Sequence, residues 1–301
     1  MSTSPLQKDA SWQDYLKSLP IYPLPQHAVS RLTYKLTRIQ SPWFKNRMIR
    51  WFAEQYQVDW SEARYRNPED YVHFNAFFTR ALRDGARPIA GDASTVVSPA
   101  DGHISQIGSI DRDAVFQAKG HSFSVTELLG GDTARAQAFQ NGRFVTVYLS
   151  PSDYHRVHMP LTGTLRETVY IPGRLFSVAA HTTRTIPRLF ARNERLVALF
   201  DTSAGPMAMV LVGAINVAAI ETVWSGLVTP PHRSAIEVND LQSRHIELQR
   251  GAEMGRFNMG STVILLFGEE RVRWDDGLHA EQALRMGQQL GIAAGAHATG
   301  P

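Results

Sequence analysis

The chain contains no cysteine. Disulfides, thiolate nucleophiles, Cys-ligated zinc and iron–sulfur clusters are therefore excluded. Lysine is nearly as scarce: Lys8, Lys17, Lys35, Lys45 and Lys119 are the whole set, and only Lys119 lies outside the N-terminal region. A pyridoxal enzyme needs a buried lysine for its Schiff base, so pyridoxal phosphate is not expected. No run approaches the roughly 18–20 uninterrupted apolar residues of a membrane-spanning helix. The longest apolar stretch, Met207 to Ile220, is interrupted by Gly213-Ala214 and Asn216 and reads as buried strands. The first 25 residues lack a basic start followed by an apolar block, so no secretory signal is expected. There is no Gly-rich phosphate loop and no internal repeat.

What is present suits a globular protein. Of 301 residues, 43% are apolar and 20% charged, enough length and hydrophobicity for a sizeable core. Charge is unevenly placed. Residues 1–50 hold eight bases against Asp9 and Asp14, while the whole chain carries only +3. That asymmetry predicts an acidic partner for the N-terminus. No recognition motif for nucleic acid accompanies the charge, so none is expected as a partner.

From Ser11 to about Arg64 the pattern is helical, broken near Pro20, Pro23 and Pro25. Ser41-Pro42 marks a helix start. In the helix that follows, Trp43, Phe44, Met48, Ile49, Trp51 and Phe52 crowd one broad side, with Lys45, Arg47 and Arg50 interleaved. Aromatic residues and bases on one helix suit a membrane interface with anionic headgroups; the alternative is a helix packed on its own domain. Residues 70–86 read as another helix, with Phe74, Phe77, Phe78 and Leu82 at helical spacing and most simply core. After Arg87-Pro88 the texture becomes short apolar runs between turn residues, predicting strands at Phe144–Leu149, Leu196–Phe200, Met209–Val212, Val217–Trp224 and Thr262–Phe267. Leu278–Leu290 reads as a helix in an otherwise loose tail. The predicted class is α+β: a helical, membrane-associating region (1–65), a β-rich, mainly antiparallel catalytic body (66–270), and a partly disordered tail (271–301).

Three segments carry candidate chemistry. Residues 148–160 run from a strand into a turn bearing His155 and His158, and imidazole is matched to proton transfer near neutral pH. Pro151 and Pro160 bracket this turn and no third ligand is evident, so no metal is expected. Asp101 precedes Gly102 in Ser98-Pro99-Ala100-Asp101-Gly102, where ordinary turn chemistry competes with a functional role. Ser261 follows Gly260 at the start of a strand. Asp101, His158 and Ser261 together supply an acid, a base and a hydroxyl, the parts of a triad recognised by role. A Ser-His-Asp hydrolase would use the same three, but Ser261 is followed by Thr262-Val263 rather than the residues of a Gly-x-Ser-x-Gly elbow.

Over roughly residues 70–270 the chain resembles bacterial phosphatidylserine decarboxylase, a pyruvoyl-dependent family. The resemblance rests on Phe77-Phe78-Thr79-Arg80 with Arg87-Pro88, Pro99-Ala100-Asp101-Gly102, Lys119-Gly120-His121 and Asp153-Tyr154-His155-Arg156-Val157-His158. It continues through Phe176-Ser177-Val178, Asn193-Glu194-Arg195, Val212-Gly213-Ala214 and Gly255 to Thr262. Two departures are visible: Met259 stands where the family usually has Leu before Gly-Ser-Thr, and the segment after Val212-Gly213-Ala214 reads Ile215-Asn216-Val217-Ala218-Ala219-Ile220, where the family often has a Gly before the Ile.

The resemblance implies a precursor that cuts itself between Gly260 and Ser261, giving chains 1–260 and 261–301, with His158, oriented by Asp101, as the base. Ser261 becomes a pyruvoyl group, the cofactor, which forms a Schiff base with phosphatidylserine and releases CO2 and phosphatidylethanolamine. His155 is the candidate for substrate contact or for returning a proton, with His158 its competitor. The resemblance further implies a homodimer held peripherally on the cytoplasmic side of the cell membrane, against anionic lipid. A related decarboxylase acting on a soluble amino acid is the rival reading, and the basic, aromatic N-terminus argues against it.

Overall fold

The computed structural model describes residues 9–215, 219–258 and 262–294. Gly260 and Ser261, the expected cleavage site, lie outside the described residues, as do 1–8 and 295–301. The predicted class holds: helices come first and an antiparallel β-rich body follows.

The N-terminal helices are α1 (Trp12–Ser18), α2 (Gln26–Leu36) and α3 (Pro42–Gln55). Ser11 and Asp14 form a capping box at the start of α1, which satisfies two amide donors that the first turn leaves open. Pro42 opens α3 as expected, since proline has no amide to lose there. Helix α3 divides into two faces. Ile49, Phe52 and Ala53 pack with Val58, Tyr71, Phe74, Phe77 and Phe78 in a second, smaller core. Trp43 and Trp51 stay in solvent, 75% and 58% exposed. Lys45 is not on the wet face: it is buried, and its Nζ donates to the Pro68 carbonyl at 3.0 Å and to Asn46 Oδ1 at 2.7 Å. This smaller core draws residues from both sides of the expected boundary at residue 65.

The helix expected over 70–86 is only α4 (Phe74–Phe78). Its aromatic stripe is core, as predicted, but the chain then turns away. The Arg64 amide donates to the Ala81 carbonyl at 2.9 Å and the Arg83 amide to the Glu62 carbonyl at 2.9 Å. Pairing with residues 62–64 satisfies the backbone there in place of a continued helix.

The main sheet has the order Glu237–Asp240, Gly163–Ile171, Arg195–Thr202, Gly205–Val212, Thr262–Phe267, Arg143–Tyr148, Gly102–Ser109 and Ala283–Leu284, with Glu247–Leu248 paired to Gly163–Ile171. Every pairing in it is antiparallel. Thr262–Phe267 is buried at every position, which is why it reads as an unbroken apolar run rather than an alternating one. A four-stranded sheet has the order Gly226–Thr229, Ile220–Thr222, Glu253–Phe257 and Arg156–His158, and its strand Glu253–Phe257 precedes Thr262–Phe267 in sequence.

The expected tail is corrected. Residues 271–294 carry the strands Val272–Trp274, Ala283–Leu284 and Gln289–Ala293, which pair with each other, with Gly102-His103 and with Thr95–Val97. The helix expected at 278–290 is absent. Glu281 and Gly287 adopt positive φ, a conformation that interrupts a right-handed helix, and the backbone pairs with the body instead. Leu265→Ala should lower the unfolding free energy by about 2–5 kcal/mol, read as a shift in the urea midpoint, because this buried strand has neighbours on both edges.

Candidate active site

Backbone bonds bring the separate segments together. The His158 amide donates to the Pro99 carbonyl at 2.8 Å, and the Val97 amide to the Pro160 carbonyl at 3.1 Å. The turn bearing Asp101 is thus laid against the strand bearing His158. The Phe257 amide donates to the His155 carbonyl at 3.0 Å, which draws the histidine segment to the chain just before residues 259–261. Asn75 of α4 reaches the same stretch, its Nδ2 donating to Asn258 Oδ1 at 2.7 Å. Gly102 takes φ +150°, and a Cβ there would lie 2.2 Å from the Tyr148 carbonyl oxygen. Only glycine permits that approach. Tyr148 in turn pairs with Thr262, so the Asp-Gly turn, Tyr148 and the start of the central strand are neighbours.

His158 is buried, and its tautomer is set by its partners. Nδ1–H donates to the Gly251 carbonyl at 2.8 Å, because a carbonyl can only accept. Nε2 therefore carries the lone pair and accepts from the Tyr154 hydroxyl at 3.1 Å. Burial holds the imidazole below the usual histidine range and pushes the Tyr154 phenol up to about 12. His158 is thus a neutral base at neutral pH with a proton-bearing partner on its basic nitrogen.

Asp101 does not orient His158, and that expectation is corrected. Its carboxylate takes the Arg87 guanidinium, with Nε at 2.8 and 3.1 Å and Nη2 in contact, and accepts the Met286 amide at 2.8 Å. Arg87 also bonds Glu62 at 2.7 Å, and Arg285 reaches the same Glu62 at 2.7 Å. A bidentate guanidinium commits a carboxylate in geometry as well as charge. Asp101 therefore anchors residues 87 and 286 to the active-site turn, and the Gly251 carbonyl orients the imidazole.

His155 is wholly buried. It packs on Phe78 with ring centroids 4.0 Å apart, and Nδ1–H donates to the Asp153 carbonyl at 2.7 Å. Burial pushes its pKa down to about 3. Its Nε2 and the Thr262 Oγ1 are buried without a partner among the described residues. Arg80 adds a buried cation: Nη2 donates to the Ser152 carbonyl at 3.1 Å, while Nε and Nη1 have no partner among the described residues. A cleft of about 290 Å³ opens beside the central strand, lined in part by His103, Tyr148, Ser150, Val178 and Thr183.

Of the sequence-derived candidates, the structure gathers Asp101, His155 and His158; Ser261 and Gly260 fall outside the described residues. Sequence reading assigns no role to Tyr154, Gly251, Arg87 or Arg80. Tyr154 and Arg80 stand inside the motifs quoted above, but nothing local says which atom they meet. Gly251 acts through its carbonyl, which carries no sequence signature.

An imidazole with one nitrogen committed to a carbonyl and the other carrying the lone pair is suited to general-base work. The comparisons make this specific. A family model described as phosphatidylserine decarboxylase matches residues 74–292, and a second, described as PSD, matches residues 16–57. The chain is 59% identical over 273 residues to the phosphatidylserine decarboxylase proenzyme of Pseudomonas fluorescens, covering 90% of this chain and 95% of that one. It is 57% identical over 284 residues to the proenzymes of Stutzerimonas stutzeri and Azotobacter vinelandii, covering 94% of this chain and 96% and 99% of theirs. The chain belongs to the phosphatidylserine decarboxylase family, and it is a decarboxylase.

The His155 environment has a consequence for stability. A histidine whose folded pKa is depressed from 6.5 to about 3 binds its proton more readily when unfolded. Its contribution is complete above pH 6.5 and is lost as pH falls through the window toward 3. Between pH 7 and 5.5 this one group should remove about 1 kcal/mol of stability. In His155→Gln that component of the pH dependence should vanish, as measured by urea unfolding at the two pH values.

Proposed function

We propose that the chain is made as an inactive precursor that cuts itself between Gly260 and Ser261, and that the product converts phosphatidylserine to phosphatidylethanolamine and CO2 at a membrane surface. The observation that carries this reading is the His158 tautomer, with Nδ1–H held by Gly251 and Nε2 basic. The proenzyme name of the relatives supports it. In this scheme the Tyr154 hydroxyl yields its place on Nε2 to the Ser261 hydroxyl, whose proton Nε2 then removes. The oxygen attacks the Gly260 carbonyl carbon, and an ester replaces the amide. β-Elimination breaks the Ser261 Cβ–O bond, freeing a Gly260 carboxylate and leaving dehydroalanine. Hydrolysis then releases ammonia and leaves a pyruvoyl group.

The described residues fit such a group, since the partnerless Thr262 Oγ1 and His155 Nε2 offer a hydrogen-bond donor and acceptor to whatever stands beside them. Once formed, the pyruvoyl group supplies an electron-accepting ketone that takes up the pair released as CO2 leaves. The chain's own residues do the rest. His155, kept neutral by burial, presents its Nε2 lone pair to a substrate N–H, so we assign it substrate contact over proton donation. Arg80 places a buried positive charge near the site that favours an anionic headgroup.

Cleavage need not release the short chain. Thr262–Phe267 is bonded to Gly205–Val212 on one edge and to Arg143–Tyr148 on the other, so the two products stay one folded unit. Intact mass spectrometry should show fragments 1–260 and 261–301, the latter lighter by one ammonia than a Ser-started peptide, co-eluting in native gel filtration. Ser261→Ala should remain uncut, and His158→Ala should process at least about 100-fold more slowly. Because the His158 pKa is lowered, the wild-type cleavage rate should hold steady above pH 6.5 and fall only at more acid pH. A single uncut wild-type chain with an intact Ser261 would reject the scheme.

Membrane association is supported by the exposed apolar side chains of the N-terminal helices: Trp12, Leu16, Leu19, Leu32, Leu36, Trp43 and Trp51. Among the described residues no helix is long and apolar enough to cross a membrane, so the fit is to a surface rather than a span. Phosphatidylserine-containing vesicles should bind the protein less tightly as salt rises, and Trp43→Ala with Trp51→Ala should weaken that binding about tenfold or more. These substitutions leave the Ile49–Phe52 core face untouched. Binding unchanged in the double variant would rule out this face.

A further inference from the structure

A second group of chemistry-bearing side chains lies apart from the residues that hold His158. His27 stands in the first turn of α2, Glu194 just before the strand Arg195–Thr202, and His232 just after Pro230-Pro231. One ligand atom from each of the three falls within 4.8 Å of the other two. The two imidazole rings meet at a centroid distance of 4.5 Å.

The bonding of this cluster is incomplete in a specific way. His27 Nε2–H donates to the Gly173 carbonyl at 3.0 Å, which leaves the lone pair on Nδ1. His232 Nδ1 bonds both Glu194 oxygens, at 2.8 and 2.9 Å. The remaining nitrogens, His27 Nδ1 and His232 Nε2, are buried without a partner among the described residues. The Glu194 side chain is only 2% exposed. Its other partner is the neutral Tyr170 hydroxyl, and no guanidinium or ammonium pairs with it among the described residues. A buried carboxylate with no fixed cation, beside two imidazoles with idle nitrogens, is costly unless something positive joins them.

We propose that His27, Glu194 and His232 bind a divalent transition-metal ion. Two imidazoles and a carboxylate form a donor set suited to zinc and its neighbours. A dication would offset the buried charge and engage the idle His27 Nδ1, and if it took His232 Nδ1 the ring's one proton would move to the idle Nε2, leaving a neutral imidazole ligand. The outer partner is already in place, since metal-bound histidines characteristically donate their second N–H to a carbonyl or carboxylate, as His27 does to Gly173. The site is also pre-docked. Gln26, the residue before His27, accepts the Leu175 amide at 2.8 Å and the Arg174 guanidinium at 3.3 Å. Two of the ligands come from the β-rich body and one from α2, so the ion would clamp the helical region to the body. Sequence spacing cannot show this set, because its members are separated by well over thirty residues.

The test uses the full-length, untagged protein stripped with chelator and then titrated with Zn2+ against a chromophoric competitor. One equivalent should bind, His27→Ala and His232→Ala should each weaken binding at least tenfold, and Zn2+ should raise the thermal midpoint of the wild type but of neither variant. Co2+ in place of Zn2+ should give the visible absorption of a low-coordinate nitrogen–oxygen site that both variants lose. His232→Gln, close in size and still polar, serves if the alanine variant does not fold. No stoichiometric uptake by the wild type would overturn the proposal, as would affinity unchanged in the His27 and His232 variants.

Discussion

The strand Thr262–Phe267 is the constraint on which the rest of the molecule depends. It is bonded along both edges and buried at every position, so it can neither slip in register nor leave without exposing the centre of the sheet. Its first residue pairs with Tyr148, whose carbonyl receives the close approach of Gly102, and Asp101 precedes that glycine. The Asp101-Gly102 turn is therefore registered against the start of the central strand by backbone geometry, before any side-chain chemistry is considered. The same strand would make the proposed self-cleavage structurally tolerable, because a cut ahead of it would leave its ladder intact.

Around that strand, two polar systems have distinct tasks. Asp101 is spent on Arg87 and the Met286 amide, which ties the chain beyond residue 271 to the site. His158 is oriented by a main-chain carbonyl. The acid–base–nucleophile reading expects Asp101 to orient His158, and the structure shows a different link for each of the two. A carboxylate already holding a guanidinium in a bidentate grip has little left with which to orient an imidazole, whereas a carbonyl fixes the tautomer without adding charge to the site.

Much of this was legible in the residues. The apolar runs expected as strands at Thr262–Phe267, Leu196–Phe200 and Met209–Val212 fall within observed strands, the last two extended to Arg195–Thr202 and Gly205–Val212, and Ser41-Pro42 marked the start of α3. The misreadings share a cause. Periodicity at 70–86 and 278–290 correctly reported apolar positions, but those segments find their backbone partners far along the chain, at residues 62–64 and at 95–103. Long-range pairing overrides local pattern. Lys45 shows the same limit for charge: counted among the bases of an interfacial helix, it is buried against the Pro68 carbonyl, leaving Trp43, Arg47 and Trp51 to form the outward face.

By itself the sequence determined the class of fold and the family, because these depend on residue types and short spacings that local motifs preserve. Tertiary structure alone decided which atom of each residue meets which partner: the Gly251 carbonyl on His158, Arg87 on Asp101, and the gathering of His27, Glu194 and His232. Such meetings depend on sheet register and burial, which arise from pairing between distant segments and leave no trace in the order of the side chains they bring together.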